Sequence, residues 1–318
     1  MCSPRGPSNQ LYYRNMTESK SLVPAWRIKA VEEIQRSTRP QREKWIRAAH
    51  YNLLNLESRQ VFIDLLTNRG VGAVSSRQWT ASICMNDIHA RLPPTVRLRD
   101  RVRQIFGLEH VLLAHHGAGG EHVLFSLLVE ENDVIPANSH SNTSRAIIER
   151  KHAMAVDCPL DEAFYVSNCY PFKGNIDLRK LEAILSAHVS KVPFVLVSAT
   201  CNQTGGQPVS IENLREVKHL AREYGIPVVL NSTHFAENAW FIQQREPSYA
   251  NKTIKEIVRE MHQHADAIII GGGEYGQTNA GNILAMRDQT WFMAASKSVV
   301  LLEDEHLGCD EITGRDIE

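Results

Sequence analysis

Two glycine-rich stretches carry the residue types that invite chemistry. "IIIGGGEYGQTNAGN" (268–282) runs from β-branched apolar residues into Gly271, Gly272 and Gly273, which free the backbone for a close approach. Glu274 is the first side chain past them, a carboxylate placed where a ligand could come near. "HHGAGGEH" (115–122) precedes a helical pattern, and amides at such a helix start can cradle an anion. It has neither the GK[ST] of a phosphate loop nor GxGxxG spacing, so a tight strand-to-helix turn accounts for it equally well. His115, His116, His122, His140 and His234 show no HExxH or CxxC-type spacing, and no metal is expected. The absence of a GxSxG elbow argues against an α/β-hydrolase.

The elements that would position these residues are clearest between 190 and 287. "VPFVLVSA" is a continuous apolar run suited to burial on both faces of a parallel sheet. In "IENLREVKHLAREY", Ile211, Leu214, Val217, Leu220 and Tyr224 share one helical stripe. Ser210 is the expected N-cap and Gly225 the expected stop. "IPVVL", "IKEIVREMHQHA" and "AIIIGGG" continue the alternation. Strand–helix–strand repetition predicts an α/β fold with a mostly parallel, doubly wound sheet and flanking helices. In such sheets ligands sit beyond the carboxyl ends of the strands. The loops "TCNQTGG" (200–206), "NSTHF" (231–235) and "GGGEYG" (271–276) fall on that edge.

Bulk properties narrow the class. The 318 residues are 43% hydrophobic and 22% charged, with net charge -1, which offers no general attraction to nucleic acid or an anionic membrane. No apolar run reaches the roughly 18 residues of a membrane span. The polar start "MCSPRGPSNQLYYRNMTESK" has no apolar signal core. The six cysteines are scattered, as expected of reduced thiols in a cytoplasmic protein. Residues 1–22 read as a flexible polar leader and 23–318 as one large domain with a helical N-terminal region.

"FKGNIDLRKLEAIL", "GGQPVSIENL", "YGIPVV" and "FAENAWFIQQRE", together with "VFIDLLTNRGVGAV" and "ITGRDIE", resemble the tryptophanase and tyrosine phenol-lyase family. The resemblance covers about 23–318. It implies a fold type I pyridoxal-phosphate (PLP) transferase-like large domain, with the C-terminal small domain largely missing. It also implies a homo-oligomer acting on a small amino-acid substrate, whose Cβ–Cγ bond such lyases break.

The same resemblance assigns the site residues. The flanks in "HADAIIIGGGEYGQTNAGNILAM" put Glu274 where the family carries its aldimine lysine, and a carboxylate cannot form a Schiff base. "NSTHFAEN" puts Asn231 at the aspartate that holds the cofactor's ring nitrogen, and His234 at an arginine near its phenolic oxygen. The phosphate-binding Gln-Gly-Arg corresponds to His116, Gly117 and Ala118, which removes a bidentate donor. Ser141 stands at the stacking ring and Ala90 at a tyrosine lent by the neighbouring subunit. Asn202 and Thr67 match family positions near cofactor and substrate. Two readings follow: a degenerate, accessory homologue without ordinary lyase activity, or a repurposed enzyme of a specialised biosynthetic pathway. In the second, Glu274 with His234 or His116 would form an acid–base pair.

Overall fold

A computed structural model describes residues 36–61, 63, 93–114, 118–200, 202–271 and 281–303. The chain divides into two compact units, Lys20–Ser75 and the remainder. In the smaller unit, α1 (Arg39–Ala48) starts at a capping box. Gln41 Oε1 accepts from the Thr38 backbone N–H at 2.8 Å, which satisfies one of the donors a helix start would leave bare.

The larger unit is built on one seven-stranded sheet. Its strands are β1 (His110–Ala114), β2 (Val134–Ala137), β3 (Met154–Asp157), β4 (Val195–Ser198), β5 (Val228–Asn231), β6 (Ala267–Gly271) and β7 (Asn282–Met286). They lie in the order β1-β7-β6-β5-β4-β2-β3. The pairs β6–β5, β5–β4, β4–β2 and β2–β3 are parallel, while β7 runs antiparallel to both β6 and β1. The expected mostly parallel α/β sheet is present. The reversed β7, inserted between β1 and β6, is an addition the alternation pattern did not announce.

Helices cover both faces because the strands are apolar on both. Val195 and Val197 point into one core with Leu98 and Phe106 of α2 (Pro93–Phe106) and Leu181 of α5 (Leu178–His188). The helices α6 (Ile211–Glu223), α7 (Phe235–Arg245) and α8 (Ile254–Gln263) add Val217, Ile242 and Met261 to that side. Leu196, one residue out of phase, joins the opposite core with Val123 of α3 (Gly119–Leu128) and Ile148 of α4 (Asn142–Arg150). Ala295 of α9 (Gln289–Glu303) closes that side. The period of two puts neighbouring strand residues on opposite faces, and each fully buried Leu or Ile stabilises by roughly 2 kcal/mol.

The local signals of α6 act as read. The Ser210 hydroxyl accepts from the Asn213 amide at 3.1 Å, and Gly225 takes φ +70° just past the helix end, a conformation costly for residues with a Cβ. Among the described residues no helix is long and apolar enough to cross a membrane.

Candidate functional site

The described polar residues converge at the carboxyl ends of β2, β3, β4 and β5. Ser198 and Asn231, the last residues of β4 and β5, are register partners. Asn138, just past β2, ties this row together. Its amide donates to the carbonyls of Gly174 at 2.7 Å and Ser198 at 3.0 Å, and its oxygen accepts from the Ser198 N–H at 2.8 Å. A buried amide with both ends satisfied holds two strand ends at fixed separation.

The loop after β4 is held in an uncommon conformation. Thr200 has φ +52°, a region that a β-branched residue enters only when its surroundings enforce it. Asn238 of α7 does so: its Oδ1 accepts from the backbone N–H of Thr200 at 3.2 Å and of Val209 at 2.9 Å. The Thr200 hydroxyl reaches the His234 carbonyl at 3.4 Å.

The centre of the edge is a carboxyl–amide contact. Glu121, in the first turn of α3, is buried. Its Oε1 accepts from the Asn231 amide at 2.8 Å and from the Ser144 hydroxyl at 3.1 Å. Burial pushes the Glu121 carboxyl above the usual range, and the hydrogen bonds from Ser144 and Asn231 offset only part of that. Ser141 caps α4, its hydroxyl accepting from the Ser144 N–H at 2.9 Å, so the cap and Glu121 share Ser144. Gly120 lets α3 sit this close. A Cβ there would lie 2.0 Å from Asn282 Oδ1.

Asn231 is held at both ends of its amide in this arrangement. Its donor goes to Glu121, and its Oδ1 accepts from the Thr233 N–H at 3.1 Å and from the Thr233 hydroxyl. The next residue, Ser232, is locked from below. Its hydroxyl meets Nε2 of the fully buried His262 at 2.8 Å, while Nδ1 of His262 donates to the Val258 carbonyl at 2.6 Å. Burial drives His262 down to about 4, helped by the nearby Arg287 and Arg259 charges and opposed by the bond to Val258.

A histidine–carboxylate contact lies beside Ser141. Nδ1 of His140 is 2.7 Å from Asp157 Oδ1, which also accepts the His140 backbone N–H at 2.9 Å. Arg145 Nη2 bonds the other carboxylate oxygen at 2.6 Å. Burial works against the Asp157 carboxylate. The two hydrogen bonds and the His140 and Arg145 charges outweigh it and hold the group below its ordinary range.

The residues expected from sequence are distributed unevenly. Glu274, His116 and Gly117, like Thr67 and Ala90, lie outside the described residues. Asn231 is at the centre, and Ser141 connects to it through the Ser144 hydroxyl and the Glu121 carboxyl. Ala118 precedes α3, His234 precedes α7, and Asn202 opens an exposed 3-10 turn. Sequence reasoning named no role for Glu121, Ser144 or the His140–Asp157 pair. The only available signal for Glu121 was an acidic residue in a glycine-led first helical turn.

PLP does not fit the described side chains in the way the resemblance implies. The Asn231 oxygen already accepts from the Thr233 N–H and hydroxyl, and an amide lacks the charge to stabilise a pyridinium.

Comparison with known proteins places these observations. A family model described as β-eliminating lyase matches residues 64–305. A protein named β-eliminating lyase from Trichomonas vaginalis is 44% identical over 92% of this chain and 64% of its own length. A tryptophanase from Salinibacter ruber is 40% identical over 94% and 63% respectively. For a tyrosine phenol-lyase from Pasteurella multocida the values are 37%, 92% and 64%. The chain thus spans just under two thirds of the length of these curated relatives. Among solved structures, a protein assigned as an L-allo-threonine aldolase from Listeria monocytogenes superposes with TM-score 0.51 at 16% identity. That match covers 73% of this chain and 60% of the other, and it speaks to the fold alone.

Proposed function

Because the chain belongs to the β-eliminating lyase family, we propose that it is a member that has lost ordinary PLP-dependent amino-acid lyase activity and serves an accessory role. The uncharged amide of Asn231 at the end of β5, where the resemblance places an aspartate, carries this reading. An aspartate in its place would bring a charge to a cofactor ring; an amide hydrogen-bonded inward brings none. The alignment of Glu274 with the aldimine lysine supports the same conclusion, since a carboxylate offers no amine for a Schiff base. The lack of charge at Ala118 weakens phosphate capture. A homo-oligomeric state is part of the proposal, and an amino-acid-like substrate belongs only to an active form of the chain.

The test is incubation of the full chain with PLP, followed by borohydride reduction and peptide mapping. The expected result is no stoichiometric pyridoxyl-lysine and no absorbance band in the region of about 400 nm that an aldimine produces. A single lysine labelled at one equivalent, with release of pyruvate from tryptophan or tyrosine, would overturn the proposal.

A further inference from the structure

Two open clefts of opposite charge lie on the surface outside the site already described. The first, of about 280 Å³, is in the smaller unit, formed by α1 and the chain around the 3-10 turn Ser58–Gln60. Its apolar lining, Trp45, Ile46 and Leu56, is half-buried, and its charged lining, Arg39, Arg42 and Glu43, is exposed. Arg39 is paired with Glu43 and Arg59 with Glu57. Among the described residues Arg36, Arg42, Lys44 and Arg47 have no carboxylate partner, so α1 carries unneutralised positive charge. No residue of α1 is buried. A helix gains most of its stability by packing one apolar face, and this one leaves that face uncovered.

The second cleft, of about 370 Å³, is in the larger unit, between the 3-10 turn Asp161–Phe164 and the starts of α5 and α6. Asp161, Glu162, Asp177 and Glu216 line it, against Arg179. Lys180 pairs with Asp161 at 2.7 Å, and Asp177 caps α5. Glu162 and Glu216 have no cationic partner among the described residues. The turn runs directly into Phe164, Tyr165 and Val166, which are 70%, 63% and 95% exposed. Consecutive large apolar side chains left in water are the kind of patch that marks an interface. This one is held in place. Nζ of the buried Lys173 donates to the Tyr165 carbonyl at 2.5 Å, and Nζ of Lys180 to the Pro159 carbonyl at 2.7 Å. A patch already ordered loses little freedom on docking.

We infer that the α1 cleft receives the 161–166 turn of a second copy of this chain. Glu162 and Glu216 of one copy then face the unpaired cations of α1 in the other, while Phe164, Tyr165 and Val166 cover Trp45, Ile46 and Leu56. Each surface supplies what the other lacks: a carboxylate pair for a cationic helix, and projecting apolar groups for an apolar cleft. Aromatic side chains and arginine carry most of the energy of protein interfaces, and opposite charges fix the register. Two different surfaces meet, so the contact is heterologous and either closes into a ring or grows with concentration. It rests on the homo-oligomeric state proposed above and names one contact that builds it.

Sedimentation velocity of the full chain over a range of concentrations tests it. Wild type is expected to self-associate, and raising salt from about 0.05 M to about 0.5 M should weaken the association roughly ten-fold by screening. Arg42→Glu with Arg47→Glu should weaken it by about ten-fold or more, and so should Glu162→Arg with Glu216→Arg. Mixing the two double variants should restore it, because each reversed surface then meets one of unlike charge. A wild type that stays monomeric overturns both this contact and the homo-oligomeric state. An oligomer indifferent to charge reversal, or double variants that do not recover on mixing, removes the contact and leaves the oligomer standing. Should a variant fail to fold, the salt series on wild type decides, and an association unmoved by salt overturns the proposal.

Discussion

Acid should loosen this fold through His262. The ring is fully buried under the β5 end, with Nδ1 donating to Val258 and Nε2 meeting Ser232, and its pKa is pushed down to about 4 by burial first. An unfolded histidine takes its proton near 6.5. Below that pH the unfolded state binds a proton the folded state refuses, so stability is full above about 6.5 and falls as pH drops toward 4. Each unit is worth about 1.4 kcal/mol, giving roughly 2 kcal/mol lost between pH 7 and 5 and about 3 kcal/mol in all. Glu121 and Glu246 act with the opposite sign. Burial raises both, so each contributes stability that is lost as pH rises through its folded value. A single pH curve therefore mixes these effects, and the comparison of wild type with His262→Gln isolates one of them. Urea unfolding followed by tryptophan fluorescence at pH 7, 6 and 5 is the assay. The variant is expected to be less stable at pH 7, since the ring also packs edge-on against Phe106 at 4.7 Å, but to lose roughly 2 kcal/mol less on going to pH 5. Parallel curves for the two proteins would refute the assignment of acid sensitivity to this ring.

Four further expectations concern the carboxyl edge. Glu121→Ala strands the Asn231 amide and Ser144 hydroxyl and should cost about 1–3 kcal/mol. Glu121→Gln keeps an acceptor for both and should gain on wild type in urea unfolding as pH rises from 5 to 8. Asn231→Asp sets a second carboxylate at a 2.8 Å contact with Glu121. The pair then shares one proton, and stability should fall by roughly 2 kcal/mol from pH 5 to pH 8 beyond any change in wild type. Gly120→Ala drives a methyl against Asn282, and the shift of α3 should lower the melting temperature at a cost of about 1–3 kcal/mol. A calorimetric scan matching wild type would show that the helix yields without strain.

The sequence by itself determined the sheet class and much of the family's geometry. Val195, Leu196 and Val197 are apolar in succession, and only a sheet covered on both faces buries all three. Ser210 and Gly225 fixed the ends of α6 because a cap hydroxyl and a positive-φ glycine act within a few residues of themselves. It also set Asn231, rather than an acid, at the end of β5. Tertiary structure alone decided what those residues meet. Asn231 and Glu121 are 110 positions apart, and nothing local pairs them. The reversed β7 was hidden because "NILAM" carries no mark of direction; its place follows from what β1 and β6 leave unpaired between them. His140 was legible only as one of several scattered histidines. Its carboxylate lies 17 residues away on the neighbouring strand, brought alongside by parallel pairing. Local order is written in neighbours along the chain, whereas a site is a set of distances across it, and only the packed core fixes those.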